Sequence, residues 1–137
     1  MTVLIDTSFL LALADNTDRK HALATEAMHI VRAPRVVPIP VLPESFYMIA
    51  TRVSYRAAIR FFDTMQSGGF DLQPIAASDM LRMSVIMKQY ADNQFDFVDA
   101  AIMAVAERLS ITRVLTFDRN DFRIFRPAHC DYLQLLP

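Results

Sequence analysis

FDFVDAAIMAVAERL, residues 95–109, places two aspartates, Asp96 and Asp99, at the mouth of a mostly apolar, alanine-rich run. Alanine is a strong helix former, and a helix this apolar faces packed neighbours rather than open water. The pattern predicts a helix from Val98 to Leu109, beginning at Phe97 or Val98. Asp96 is then its N-cap, accepting bonds from the free N–H groups at that end, worth about 1 kcal/mol. Asp99 falls near the third helical position and is free to point at something else. RVLTF (113–117) follows and reads as a β-strand, so a helix feeds a strand here.

The same alternation extends upstream. TVLI (2–5) reads as a buried strand ended by Asp6. Ser8–Ala14 reads as a helix capped by Thr7 or Ser8, with a turn at DNTD. Asp18–Val31 is a second helix, with Asp18 as cap and Leu23, Ala27 and Ile30 on its buried side. RVVPI (35–39) is a second strand. Leu42–Arg52 and Tyr55–Met65 are helices, the first carrying Pro43 in its first turn and the second ended by SGG. FDLQPI (70–75) is a third strand. Ser78–Tyr90 is a long helix with Leu81, Val85 and Ile86 facing inward. Asp131–Leu135 is a candidate fifth strand. The expected fold is α/β: a three-layer α/β/α sandwich with a mostly parallel, four- to five-stranded sheet, in one domain covering residues 1–137.

Composition narrows the chemistry. Two glycines leave no room for a glycine-rich phosphate loop. Cys130 is the sole cysteine, and His21, His29 and His129 have no ligand spacing, so no zinc cage is expected. A single cysteine fits a reducing compartment, the cytoplasm. Asp6 interrupts the early apolar run, which has no basic lead, so the start reads as mature structure. No membrane span is expected. The net charge of −1 means that any nucleic-acid contact must use a local basic surface or metal ions.

In an open parallel sheet, ligands bind beyond the carboxyl ends of the strands. Asp6 ends the first strand and Asp118 follows the fourth. Glu44 lies in the first turn of the helix after the second strand, and Asp99 in the first turn of a helix returning to the same sheet. Each has a purely structural reading: Asp6 as a helix cap, Glu44 as a partner of a helix dipole, Asp118 as a turn former, Asp99 in a capping arrangement. Taken together, the four map to one rim. Gathered carboxylates repel one another unless a cation neutralises them, and hard oxygen donors without His or Cys suit Mg²⁺ or Mn²⁺. Asp96 is read as structural and Asp92 as a further candidate ranked between Asp96 and Asp99.

The ordered set VLIDTSFLLAL, PES, FVDAAIMAVAERL and VLTFDRNDFRIF resembles the PIN-domain family, and within it the VapC-type toxins of bacterial type II toxin–antitoxin pairs. The resemblance spans nearly the whole chain. It implies acidic positions at Asp6, Glu44, Asp99 and Asp118, a minimal metal pair at Asp6 and Asp99, and supporting hydroxyls at Thr7 or Ser8 and at Thr116. Some relatives carry a further acid just after the fourth position; here Asn120 and Asp121 follow, which leaves the number of metals open. The family's activity is Mg²⁺- or Mn²⁺-dependent endoribonuclease, with metal-activated water attacking the phosphodiester to leave a 5′-phosphate and a 3′-hydroxyl.

The implied partners are RNA, a cognate antitoxin and a second copy of the chain. Arg19, Lys20, Arg52, Arg56, Arg119 and Arg123 are candidates to flank the acids and meet RNA; Arg52, Arg56 and Arg60 also fit a solvated helix face. FYMI (46–49) fits either an exposed groove or ordinary core. Two other readings stay open: a PIN nuclease of RNA processing, or a non-catalytic module whose acidic pocket receives a basic peptide.

Overall fold

In the computed structural model, which describes residues 1–137, the first apolar run forms β1 (Val3–Ile5), buried at every position. Consecutive buried residues mark a strand covered on both faces, as parallel sheets require. The chain continues through α1 (Thr7–Ala14), α2 (His21–Ile30), β2 (Arg35–Pro38), α3 (Val41–Arg52), α4 (Tyr55–Ser67), β3 (Phe70–Gln73) and α5 (Ala77–Gln89). A 3₁₀ turn (Ala91–Asn93) then leads to α6 (Phe97–Arg108), β4 (Arg113–Leu115), α7 (Asn120–Ile124) and β5 (Gln134–Leu136).

The strands lie in the order β3-β2-β1-β4-β5, and every neighbouring pair is parallel. The expected sandwich is present, with five strands and a wholly parallel sheet. Helix α1 packs on both α2 and α3, and α3 on α4, while α5 packs on α6 and α6 on α7. From β1 the chain builds outward to β2 and β3, then returns to place β4 on the other side of β1. That reversal is the topological switch point, where the loops after β1 and β4 part and leave a crevice. Asp6 and Asp118 sit on those two loops. The ladder closes just below them, where the Asp6 amide donates to the Leu115 carbonyl at 3.0 Å.

Several local expectations need correction. Helix α1 begins at Thr7, and its cap is Asp6 rather than Thr7 or Ser8. Helix α2 begins at His21; the Asp18 carboxylate instead accepts from the Lys20 amide in the preceding turn. His21 Nδ1 bonds the Ala12 carbonyl at 2.8 Å and sets the rotation of α2, so Ala24 and Ala27 are buried while Leu23 and Ile30 are exposed. Helix α5 turns Ile86 inward as expected, but with Asp79 and Met83 beside it, and leaves Leu81 and Val85 in solvent. The cause is an ion pair: Asp79, 2% exposed, receives Arg108 Nε of α6 at 2.9 Å, which a hydrophobic pattern cannot register. The α4–β3 turn requires glycine at Gly69, whose φ is +79°. No helix is long and apolar enough to cross a membrane.

Candidate active site

Asp6 leaves β1 in an extended conformation and caps α1, its Oδ1 accepting from the Thr7 amide at 2.7 Å. Its other oxygen accepts from Thr116 Oγ1 at 2.8 Å and from Ser8 Oγ at 3.2 Å. The cap reading and the site reading therefore describe one carboxylate with two oxygens in different employment. Burial pushes the Asp6 carboxyl up to about 6; the bonds from Thr116, Thr7 and Ser8 oppose the rise, and the charge on Asp118 adds to it.

Asp99 is brought to the same crevice by the first turn of α6. That turn is built as the sequence predicts: Asp96 is the N-cap and its Oδ1 accepts the Asp99 amide at 2.8 Å. Burial drives the Asp99 carboxyl far above the usual carboxylate range, to about 9, reinforced by a shared hydrogen bond with Asp121 and by the charges of Asp96, Asp6 and Asp121. Asp99 is raised by the charge on Asp6 and Asp6 by that on Asp118, as like charges gathered in one crevice must be.

Ser8 and Thr116 stitch the two loops together. Ser8 Oγ accepts from the amides of Phe117 at 2.9 Å and Asp118 at 3.2 Å, and Thr116 Oγ1 accepts from the Asp118 amide at 3.0 Å. The Asp118 side chain is exposed at the rim. Asp6, Asp99 and Asp118 thus share one crevice with Asp96. Glu44 is half-buried in the first turn of α3 and lines a slot with Ile39, Pro40, Pro43, Pro74, Phe97 and Val98. Phe97 and Val98 lie between Asp96 and Asp99 in the chain, but Glu44 itself, like Asp92, is not among the groups that shift Asp6 or Asp99. Asp92 is exposed in the turn Ala91–Asn93 and is not among the groups that shift Asp99. The residue that sequence reasoning left without a role is Asp121. It sits in the first turn of α7 and meets Asp99 directly. Its only sequence signal was position, three residues after Asp118.

A basic cleft opens beside these acids. Arg19, Lys20, Arg52, Thr17 and Phe117 line it together with Ser8 and Asp118. Arg60, by contrast, lines an apolar cavity with Leu10, Leu13, Met28, Phe61 and Phe70. Helix α3 ends at Arg52 and Ser54 caps a new helix through the Ala57 amide, so Arg52, Arg56 and Arg60 do not share one helix.

Layered parallel sheet, switch-point crevice and clustered aspartates together define a class, and the chain belongs to the PIN-domain family, whose model matches residues 3–126. It is similar to Ribonuclease VapC26 of Mycobacterium tuberculosis, with 31% identity over 135 residues, covering 98% of this chain and all of that protein. Its fold matches the crystal structure of Mycobacterium tuberculosis VapC20, a sarcin–ricin loop cleaving toxin, with a TM-score of 0.86 at 20% identity over 98% of this chain and 99% of that one. It also matches DNA-bound VapBC from Salmonella typhimurium, with a TM-score of 0.73 at 12% identity over 98% and 96% of the two chains. At those identities the two structures speak for the fold alone.

Proposed function

We infer that this chain is a Mg²⁺- or Mn²⁺-dependent endoribonuclease acting as the toxin of a type II toxin–antitoxin pair, with Asp6, Glu44, Asp99 and Asp118 as its acidic residues. The observation that carries the reading is the pair of carboxylates at the switch point, Asp6 buried and Asp99 half-buried, with no cationic side chain on either. The chain's ion pairs, Arg82–Glu107 and Arg108–Asp79, both lie elsewhere. The 31% identity to a VapC ribonuclease over the full chain supports the same reading.

The donor set fits an oxygen-preferring dication. No three His, Cys, Asp or Glu side chains converge closely enough to chelate an ion by themselves. An ion here would rest on Asp6 and Asp99 and fill its coordination with water and phosphate oxygens, the ordinary habit of Mg²⁺. When bound, the metal supplies an acidified water and charge neutralisation at the phosphate. The protein's own part is orientation. Thr116 and Ser8 aim one oxygen of Asp6, Asp96 fixes the turn that carries Asp99, and the hydroxyl stitch holds the Asp118 loop against α1.

Partner surfaces support the toxin assignment. Leu42, Pro43, Phe46, Tyr55, Ile59 and Phe62 line an apolar groove between α3 and α4, suited to the apolar side of an antitoxin helix. Met80, Leu81 and Val85 are exposed on α5, in keeping with a homodimer. A cytoplasmic place of action, where RNA and antitoxin are met, goes with this reading.

The test is cleavage of a mixed cellular RNA pool by purified, antitoxin-free protein with Mg²⁺, with Mn²⁺ and with chelator, beside Asp99→Asn. Discrete metal-dependent products that vanish in the variant are expected. Equal cleavage by Asp99→Asn, or by wild type in chelator, would overturn the assignment.

A further inference from the structure

We propose that the cleft between the α1–α2 loop and the end of β4 is an RNA-backbone subsite, in which Lys20, Arg19 and Arg52 hold phosphates on one side of the scissile bond. The proposal rests on the endoribonuclease reading of the neighbouring acids and adds the path of the strand. Three cations line this cleft, and none of them has a carboxylate partner. The acids of the loop are already engaged: Asp15 accepts from Thr17 N and Oγ1 at 3.0 and 2.7 Å, and Asp18 accepts from the Lys20 amide at 2.8 Å. Asp18 and Asp118 also line the cleft, so three cations face two carboxylates and a net positive charge remains there, in a chain whose net charge is −1.

Lys20 is also held in place. Its ammonium lies 5.0 Å from the centroid of Phe117, and that ring stacks on Phe9 at 5.7 Å. A π face satisfies an ammonium without using up its N–H donors, so Lys20 presents them to a phosphate at little ordering cost. The loop carrying it is braced from below by the His21–Ala12 bond. Floor and acids are one construction, because the Ser8 hydroxyl that lines the cleft also bonds Asp6.

Beyond the acids, on the side of β2 and β3, the slot of Ile39, Pro40, Pro43, Glu44, Pro74, Ile75, Phe97 and Val98 contains no cation. The strand is thus gripped by its phosphates on one flank only. Contacts of this kind position the backbone and carry no base information.

The experiment measures binding of a short fluorescein-labelled single-stranded oligoribonucleotide of mixed sequence, in chelator, across a salt series. The proteins are wild type, the triple variant Arg19→Gln/Lys20→Gln/Arg52→Gln, and Arg32→Gln as a control. Arg32 lines a pocket with Met1, Pro34 and Arg113 at the opposite end of the sheet. Each single-strand phosphate contact contributes about 0.7 to the slope of log affinity against log salt, so the triple variant should lose about 2 from that slope. The control should lose none. In cleavage assays the triple variant should show a raised KM with kcat retained, and shortening the RNA should raise KM on one side of the cut only.

A triple variant with the wild-type slope, or a control that loses as much, overturns the subsite. So does a triple variant that binds RNA normally but loses affinity for poly-glutamate, which would give the cleft to an acidic protein partner. Wild type that binds with the expected salt slope yet cleaves nothing removes the nuclease reading and leaves the subsite standing. Wild type that neither binds nor cleaves overturns both.

Discussion

Thr116 Oγ1 donates to Asp6 Oδ2 at 2.8 Å, joining residues 110 positions apart at the ends of adjacent strands. Thr116 is fully buried and Asp6 nearly so. The hydroxyl orients the carboxylate and lowers the cost of its charge in a dry place. Thr116→Val keeps the shape and deletes the donor, so the Asp6 carboxyl should rise further. Supporting hydrogen bonds of this kind are worth about ten- to a hundredfold in metal affinity or activity. The check is Mn²⁺ titration and RNA cleavage side by side. Wild-type behaviour in both would mean that Ser8 and Thr7 suffice to hold Asp6.

The pH dependence of the metal-free fold follows from the two raised carboxyls. Asp6 rises from 3.8 to about 6 and Asp99 from 3.8 to about 9. Between those limits the folded state binds more protons than the unfolded one, so stability falls as pH rises. The contribution is fully present below about 4 and lost through the folded values. Glu107 opposes this at the acid end, because Arg82 and the Ala128 amide hold its carboxyl below the usual range and its stabilisation fades as pH falls. Melting in chelator from pH 5 to 9 should therefore show a declining midpoint. A flat or rising midpoint over that range would contradict the raised pair.

Asp99→Asn separates stability from activity. The amide cannot ionise, so it removes the proton uptake that folding at pH 8 demands of a carboxyl raised to about 9, while matching the side chain in size. The metal-free variant should melt higher than wild type at pH 8 and lose much of the alkaline decline. Its cleavage should fall by about a hundredfold or more, the scale of losing one electrostatic contact in a reacting site. Calorimetry and a single-turnover assay read the two effects. A variant that is both less stable and fully active would sink the assignment.

Asp96 gives the opposite pattern. Its carboxylate caps α6 through the Asp99 amide and is otherwise exposed. Asp96→Ala should cost about 1 kcal/mol of stability, within the range of about 0.5–2 for a lost cap. Asp96→Ser should recover most of that. Both should cleave RNA at saturating metal. Inactivity of the serine variant would promote Asp96 from cap to ligand.

Arg108 tests the contact between α5 and α6. Its Nε contacts both oxygens of Asp79 at 2.9 and 3.0 Å, and Asp79 also accepts the Ala76 amide that opens α5. Removing one partner of a buried pair costs about 3–5 kcal/mol. Arg108→Ala should fall at or below the lower end, because the Arg108 side chain is 30% exposed and some screening reaches it. Denaturant unfolding measures the loss. The double variant Asp79→Ala/Arg108→Ala should regain part of it, and an unrecovered double would place the loss outside the pair.

Much of this arrangement is local in origin and was readable along the chain. Asp6 and Asp118 were locatable because each directly follows a short apolar strand, and the carboxyl end of a parallel strand faces the crevice. Asp96 was identifiable as a cap because capping needs only a carboxylate before a helical run. The inward place of Ile86 was readable but the full rotation of α5 was not, since Leu81 and Val85 fit helical periodicity as well as Met83 does. The choice fell to Asp79 and its Arg108 partner, 29 residues away. Asp121 was invisible as a contact for the same reason. Nothing near it in sequence says that α7 turns its first residues toward α6.

The sequence by itself determined the alternation of strands and helices, the order of the acids along the chain and the cap of α6, because apolar periodicity and capping act within a few residues. Only the tertiary structure decided which acids meet. It set Asp99 against Asp121, aimed Thr116 at Asp6, and left Arg19, Lys20 and Arg52 unpaired in one cleft. Those outcomes depend on how packed layers rotate against one another, and that rotation is set by burial and charge pairing summed over residues distant in the chain.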